Sequence, residues 1–183
     1  MTTCIALLRG INVGRAKRLA MADLRDLIES MGNANVRTLL NSGNVLFDAQ
    51  RPSVGRLANA IEAAIQANFG FSAPVIVVTA ADLADIIREN PLPRAAKQPS
   101  KYLVAFVGAE TTLTKARPLL AHSWAPEAVA MGRRAAYLWC VNGIIESRLL
   151  KAFERLTGGS ATTRNWTTVL KLQAAARAGK NAA

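Results

Sequence analysis

Ten residues from Arg9 to Arg18, Arg9-Gly10-Ile11-Asn12-Val13-Gly14-Arg15-Ala16-Lys17-Arg18, bring together four cations, two glycines and a carboxamide. Glycines let backbone amides converge, and guanidinium and ammonium groups add charge, so the chemistry such a segment can do is capture of a phosphate or carboxylate. A second polar segment, Asn41-Ser42-Gly43-Asn44, has the composition of a turn that tolerates positive φ and can lend further amides. A third, Thr162-Thr163-Arg164-Asn165, puts hydroxyls, a cation and an amide ahead of an apolar stripe. There Thr162, Thr163 or Asn165 can cap a helix, while Arg164 bonds either a ligand or a carbonyl or carboxylate of the first half. The candidate ligand-binding residues are therefore Arg9, Gly10, Asn12, Gly14, Lys17, Asn41, Ser42, Asn44, Arg164 and Asn165. Each also has a plain structural reading: glycines for tight turns, Asn12 as a loop cap, Lys17 and Arg18 as solvated cations, and Asn41, Ser42 and Asn44 as turn formers.

Gly10 and Gly14 match neither GxxxxGK[ST] nor GxGxxG, so the loop is not a nucleotide fingerprint. Candidates for acid/base or nucleophilic chemistry are few. The single histidine, His122, sits between Leu120 and Trp124 and reads as a surface or packing residue. Ser42 has no G-x-S-x-G elbow around it. Asp23 and Asp26 compensate the dipole of a helix start, as does Glu146 for a later helix, and no carboxylates pair convincingly. Cys4 and Cys140 lie in apolar stretches and read as small buried hydrophobes. With no CxxC and no Cys/His cluster, the usual zinc and transition-metal sites are excluded, and neither metal nor cofactor is assigned. Enzymatic activity is left undecided; its conceivable form is phosphoryl or acyl chemistry through charge stabilisation by Arg9, Lys17 and Arg164.

The elements that must position these residues follow from hydrophobic periodicity. Thr3 to Leu8 is an apolar, partly β-branched strand that stops at Arg9-Gly10. Met21 to Met31 has helical spacing and a cap position at Gly32. Val36 to Leu40 and Val45 to Phe47 form a hairpin, Val54 to Phe69 a helix, and Pro74 to Val78 a strand, giving the βαββαβ order of a ferredoxin-like unit. In that arrangement strand two is expected to run beside strand one in parallel, so that the loop after strand one and the hairpin share one end. A linking helix, Ala80 to Asn90, stops at Asn90-Pro91-Leu92-Pro93. Then come a strand from Tyr102 to Val107, a short helix from Leu113 to Leu120 interrupted by Pro118, strands at Ala128 to Met131 and Ala135 to Val141, and a helix from Glu146 to Leu156. A last helix from about Asn165 to Ala178 precedes a tail expected to fray from Gly179 to Ala183. The expected class is α+β: a ferredoxin-like N-terminal βαββαβ unit over residues 1–79, then over 80–183 a second, related βαββα unit, one strand short, and a C-terminal helix.

The composition sets outer bounds. With 183 residues, 51% hydrophobic, the chain is long enough to bury a core without disulfides. Its apolar runs are far shorter than a membrane helix requires, and Arg9 interrupts the start before a signal-peptide pattern forms, so a cytoplasmic location with no membrane partner is expected. The net charge of +11 attracts anions. It is spread out, with 8 basic and 5 acidic residues in the first 79 and 15 and 7 in the remainder, and no run of five cations.

Several motifs together carry a resemblance: Leu7-Leu8-Arg9-Gly10-Ile11-Asn12-Val13-Gly14, Met21-Ala22-Asp23-Leu24-Arg25, Val36-Arg37-Thr38 with Asn41-Ser42-Gly43-Asn44-Val45, Asn90-Pro91, and Thr162-Thr163-Arg164-Asn165-Trp166 with Thr168-Val169 and Lys171-Leu172. In this order they span nearly the whole chain, which resembles the family labelled domain of unknown function 1697. The resemblance implies an α+β protein with a ferredoxin-like N-terminal part and a second α+β part, and brings no established activity or catalytic residue. Arg15-Ala16 stands where relatives commonly hold Gly and Lys or a similar pair, which weakens a glycine-dependent backbone cradle while preserving charge.

The function read from these observations is binding of a small anionic ligand, bearing phosphate or carboxylate, at the 9–18 loop and the 41–44 hairpin, with Arg164 as a further contributor. Nonspecific nucleic-acid binding is one alternative, driven by charge. Sequence-specific base stacking is disfavoured, because strand one has no aromatic residue and strand three offers only Phe47. A protein-interaction role along an open sheet edge is the other.

Overall fold

Alternation along the first strand, β1 (Thr2–Leu8), divides its side chains between two faces of a sheet, and every residue from Cys4 to Leu8 is buried. The computed structural model describes residues 1–14, 17–50 and 52–180. After β1 come α1 (Met21–Ser30), β2 (Ala34–Thr38), β3 (Asn44–Ala49), α2 (Val54–Phe69) and β4 (Val75–Thr79). These strands form an antiparallel sheet in the order β2-β3-β1-β4. On one face, Cys4, Ala6 and Leu8 pack with Val45, Phe47, Val75 and Val77 against Leu24 and Ile28 of α1 and Ala58, Ile61 and Ile65 of α2. Both helices therefore cover one side, as amphipathic helices with a single apolar stripe must.

The chain continues through α3 (Ala80–Arg88), β5 (Tyr102–Val107), α4 (Glu110–Ala116), β6 (Ala128–Met131), β7 (Ala135–Trp139), α5 (Arg148–Thr157), β8 (Ala161–Asn165) and α6 (Trp166–Lys180). Its antiparallel sheet runs β6-β7-β5-β8, the strand order of the first sheet repeated. Leu103, Ala105, Ala136 and Leu138 pack on Leu113 and Ala116 of α4 and on Leu149, Leu150 and Phe153 of α5. Backbone contacts divide the chain into two compact units: Met1–Ala81 with the chain from Leu172 onward, and Asp82–Lys171. The mixed α and β architecture with two ferredoxin-like units and a C-terminal helix is the expected class.

Four details differ from the sequence reading. Strand β2 does not lie beside β1; β3 intervenes and pairs antiparallel with both, so β1 and β2 keep the same direction without touching. The second unit is not a strand short, because Ala161–Asn165 extends as β8 along β5, and only from Trp166 does the chain become helical. β-Branched Thr162 and Thr163 suit a half-buried strand better than a first helical turn. Helix α5 begins after Glu146, with Ser147 as N-cap accepting from the Leu150 amide. Finally, α6 runs through Gly179 to Lys180 rather than fraying at Gly179. Gly179 sits against the Arg37 guanidinium, whose Cζ would be 2.9 Å from a Cβ at that position, and Arg37 Nη1 donates to the Ala175 carbonyl (3.2 Å). Residues 181–183 of the expected tail lie outside the described residues, as do Arg15 and Ala16 of the loop.

The Asn90-Pro91 motif has a structural explanation in the second unit. Asn90 Oδ1 accepts from the Tyr102 hydroxyl (2.6 Å) and from the Leu92 amide (2.9 Å), locking the turn after α3 onto β5. The Tyr137 hydroxyl donates to the Ile86 carbonyl (2.7 Å), and burial, with the charge of Glu89 adding, pushes that phenol up to about 12. Both phenols therefore remain donors at neutral pH.

At the open end of β3, burial raises the Asp48 carboxyl. Hydrogen bonds from Asn35 and Thr3 and the charge of Arg37 outweigh that effect and hold it below 3.8. A folded-state value below the unfolded one adds stability above pH 3.8 that is lost as pH falls through the folded value. Asp48→Asn should therefore cost about 1 kcal/mol at pH 7 and little at pH 2, read as the difference in urea midpoints at the two pH values.

Candidate functional site

The loop after β1 is anchored by its own apolar residues. Ile11 and Leu19 are buried in the core of the first unit, whereas Val13 between them is 72% exposed. Two such plugs hold the loop at defined points, and of the described residues between them Val13, Gly14, Lys17 and Arg18 are exposed. Asn12, in the left-handed region at φ 56°, closes the base. Its Oδ1 accepts from the Leu19 amide (2.9 Å), its Nδ2 donates to the Leu19 and Asn41 carbonyls (2.9 and 3.0 Å), and its backbone amide donates to the Lys17 carbonyl (3.1 Å). An asparagine tolerates this conformation better than most residues.

The hairpin between β2 and β3 reaches the same place. The Leu8 amide donates to the Gly43 carbonyl (2.8 Å), Leu7 lies opposite Asn44, and the Arg9 amide donates to the Pro74 carbonyl (2.9 Å). Asn44 is fully buried, with Nδ2 donating to the Leu39 carbonyl (2.8 Å) and Ser42 Oγ (3.0 Å). Between the two segments lies a groove of about 420 Å³, lined by Asn12, Arg18, Leu19, Ala20, Met21 and Asn41. It opens at the start of α1, where Ala20 is the N-cap and offers no side-chain acceptor to the first helical amides.

The sequence-derived candidates thus separate by role. Asn12 and Asn44 spend their amides holding backbone, and Lys17 Nζ donates to the Ser72 carbonyl (2.9 Å), so these three build the loops. Asn41 and Ser42 are exposed on the hairpin, Gly10 and Gly14 are exposed on the loop with positive φ, and Arg9 is half-buried at its base. Arg164 and Asn165 belong to the second unit, on β8. Asn165 Oδ1 accepts from the Thr168 amide (2.9 Å) and so caps α6. Arg164 is 9% exposed, with Nη1 donating to Thr162 Oγ1 and the Thr163 carbonyl (both 2.9 Å); burial pulls the guanidinium down to about 10, still protonated at neutral pH. Arg18, left out of the candidate residues as a solvated cation, lines the groove; only the fold of the loop back onto α1 could place it there.

Other chemistry finds little support. Among the described residues no group of three or more His, Cys, Asp or Glu is placed to hold a metal. Burial raises the Cys140 thiol; the charge of Glu127 adds to that, while a hydrogen bond with Ser147 works against it, so the thiolate needed for nucleophilic attack is scarce at neutral pH. No helix among the described residues is long and apolar enough to cross a membrane. The aromatic residues of β3 and β5 are out of reach of bases: Phe47 is 0% exposed, as are Tyr102 and Phe106 on β5.

The family described as "Protein of unknown function (DUF1697)" matches residues 1–137. The solved structure of a conserved bacterial protein, SP0830 from Streptococcus pneumoniae, is similar with a TM-score of 0.79 over 97% of this chain and 99% of that one, at 20% identity. At that identity the likeness speaks for the fold alone. No curated protein matches the chain.

The close approach of loop and hairpin makes Gly43 the sensitive position. At φ 73°, a Cβ there would lie 2.7 Å from Leu8 Cβ and 2.8 Å from Ile11 Cδ1. Gly43→Ala should therefore cost about 2–4 kcal/mol through overpacking and left-handed strain, measurable as a lowered urea midpoint with unchanged slope.

Proposed function

The chain belongs to the DUF1697 family of proteins of unknown function, and with no activity conveyed by that membership we propose that its N-terminal unit binds a small anionic ligand in the groove between the 9–18 loop and the 41–44 hairpin. One observation carries this reading: Arg18 and Asn41 flank a cavity of about 420 Å³ that ends at the uncapped start of α1. That size falls within the range of small-ligand sites. Asp23 in the first turn of α1 offsets part of the helix's positive end, so the full charge of Arg18 is what favours an anion. Phosphate and carboxylate both suit a guanidinium beside a carboxamide donor. Asn12, Lys17 and Asn44 serve the site by holding its walls, and Gly10 and Gly14 by shaping the loop.

The test is a thermal-shift panel of inorganic phosphate, sugar phosphates, nucleotides and short polynucleotides at low and moderate salt. A ligand present at ~100 times its dissociation constant adds about 2.7 kcal/mol of stability. A small anion should raise the melting temperature in both salts, and Arg18→Ala should remove that shift without lowering the melting temperature of the free protein. A shift produced only by polynucleotides and erased by salt would replace this reading with nonspecific nucleic-acid binding.

A further inference from the structure

The second unit contains a cleft of about 350 Å³ between the segment after α4 and the β7–α5 loop, lined by His122, Ser123, Trp124, Glu127, Asn142 and Arg148 among others. Its polar groups are not arranged for internal satisfaction. Glu127 Oε2 accepts from the Leu149 amide (3.1 Å), but Oε1 is buried and has no hydrogen-bond partner among the described residues. A buried carboxylate oxygen without a donor costs free energy that a well-packed protein ordinarily avoids. Arg148 lines the same cleft and is exposed, and among the described residues no ion pair of 4 Å or less joins it to Glu127. Two opposite charges share one cavity without neutralising each other.

Helix polarity does not explain the arrangement. Two of the opening amides of α5 are already taken, Leu149 by Glu127 and Leu150 by Ser147. The wall opposite is aromatic: the His122 and Trp124 rings meet edge to face with centroids 6.2 Å apart, and the Trp124 indole N–H is engaged by the Leu119 carbonyl (2.8 Å). That wall offers a ligand the faces of two aromatic rings, with the His122 imidazole nitrogens and the Ser123 hydroxyl beside them. A carboxylate needing a donor, a separate guanidinium beside a carboxamide, and an aromatic wall complement a molecule with an ammonium, a carboxylate and an apolar body.

We propose that this cleft binds a small zwitterion of the α-amino-acid class, its ammonium on Glu127, its carboxylate on Arg148 and Asn142, and its side chain against His122 and Trp124. The site is separate from the anion groove and does not depend on it. L-Phenylalanine is the probe, with phenethylamine and 3-phenylpropanoate as analogues that each lack one charge. Amide chemical shifts in ¹⁵N-labelled protein give the readout, because the Leu149 N–H bonded to Glu127 reports on this cleft alone.

L-Phenylalanine should shift the Leu149 and Asn142 resonances saturably, and each analogue should bind at least about tenfold more weakly, the loss expected for one charge-assisted hydrogen bond. Arg148→Gln, a substitution at an exposed side chain, should weaken L-phenylalanine by a similar factor while leaving the remaining spectrum folded. Glu127→Gln keeps an oxygen for the Leu149 amide and should abolish the preference for L-phenylalanine over 3-phenylpropanoate. No shift at concentrations up to ~50 mM, equal binding of either analogue, or an unchanged affinity in Arg148→Gln would overturn the proposal.

Discussion

The approach of Leu8 to Gly43 is the constraint on which the N-terminal unit turns. A 2.8 Å hydrogen bond from the Leu8 amide to the Gly43 carbonyl leaves no room for a side chain on the hairpin, because Leu8 Cβ and Ile11 Cδ1 occupy the position a Cβ would take. Everything at this end of the sheet follows from that contact. It keeps β3 in register with β1 up to Asn44, brings the hairpin over Ile11, and lets Asn12 reach the Asn41 carbonyl. Without it the loop and hairpin would be two separate polar segments and the groove between them would have no second wall.

The same economy recurs in the second unit with different residues. Asn90 plays a part comparable to Asn12, one carboxamide oxygen collecting a phenol and a backbone amide to hold a connection against the sheet. Glu127 joins the segment before β6 to the start of α5 by accepting from Leu149, and Ser147 completes the cap. In both units polar residues of connections, rather than strands or helices, do the fastening. Strand order repeats, β2-β3-β1-β4 and β6-β7-β5-β8, because each unit solves the same problem of covering one sheet face with two amphipathic helices.

Much of the architecture was legible because its signals are local. The stripe Ala58, Ile61 and Ile65 reads as a helix on any count, and Val54–Phe69 forms one. The chain from Thr3 to Leu8 is too apolar to be anything but a buried strand. What escaped was decided by distant partners. Thr162-Thr163-Arg164-Asn165 has the composition of a helix start and contains the cap in Asn165, yet pairing with β5 extends it as a strand. Gly179 looks like a fraying residue until Arg37, 142 positions earlier, is placed against it. At the candidate groove, polar character and approximate location were readable, but the division of labour was not. Lys17 is spent on the Ser72 carbonyl and Asn12 on three backbone groups, while Arg18 lines the groove.

By itself the sequence determined the α+β class, the ferredoxin-like order of the first unit and the positive charge, because periodicity and composition act through neighbours a few residues apart. Tertiary structure alone decided that β3 separates β2 from β1, that an eighth strand completes the second sheet, and which cations line a cavity. It alone left Glu127 Oε1 buried without a partner among the described residues and set Arg148 in the same cleft. Strand neighbours, buried donors and cavity walls come from residues tens of positions apart, and their free energies depend on distances that no local pattern records.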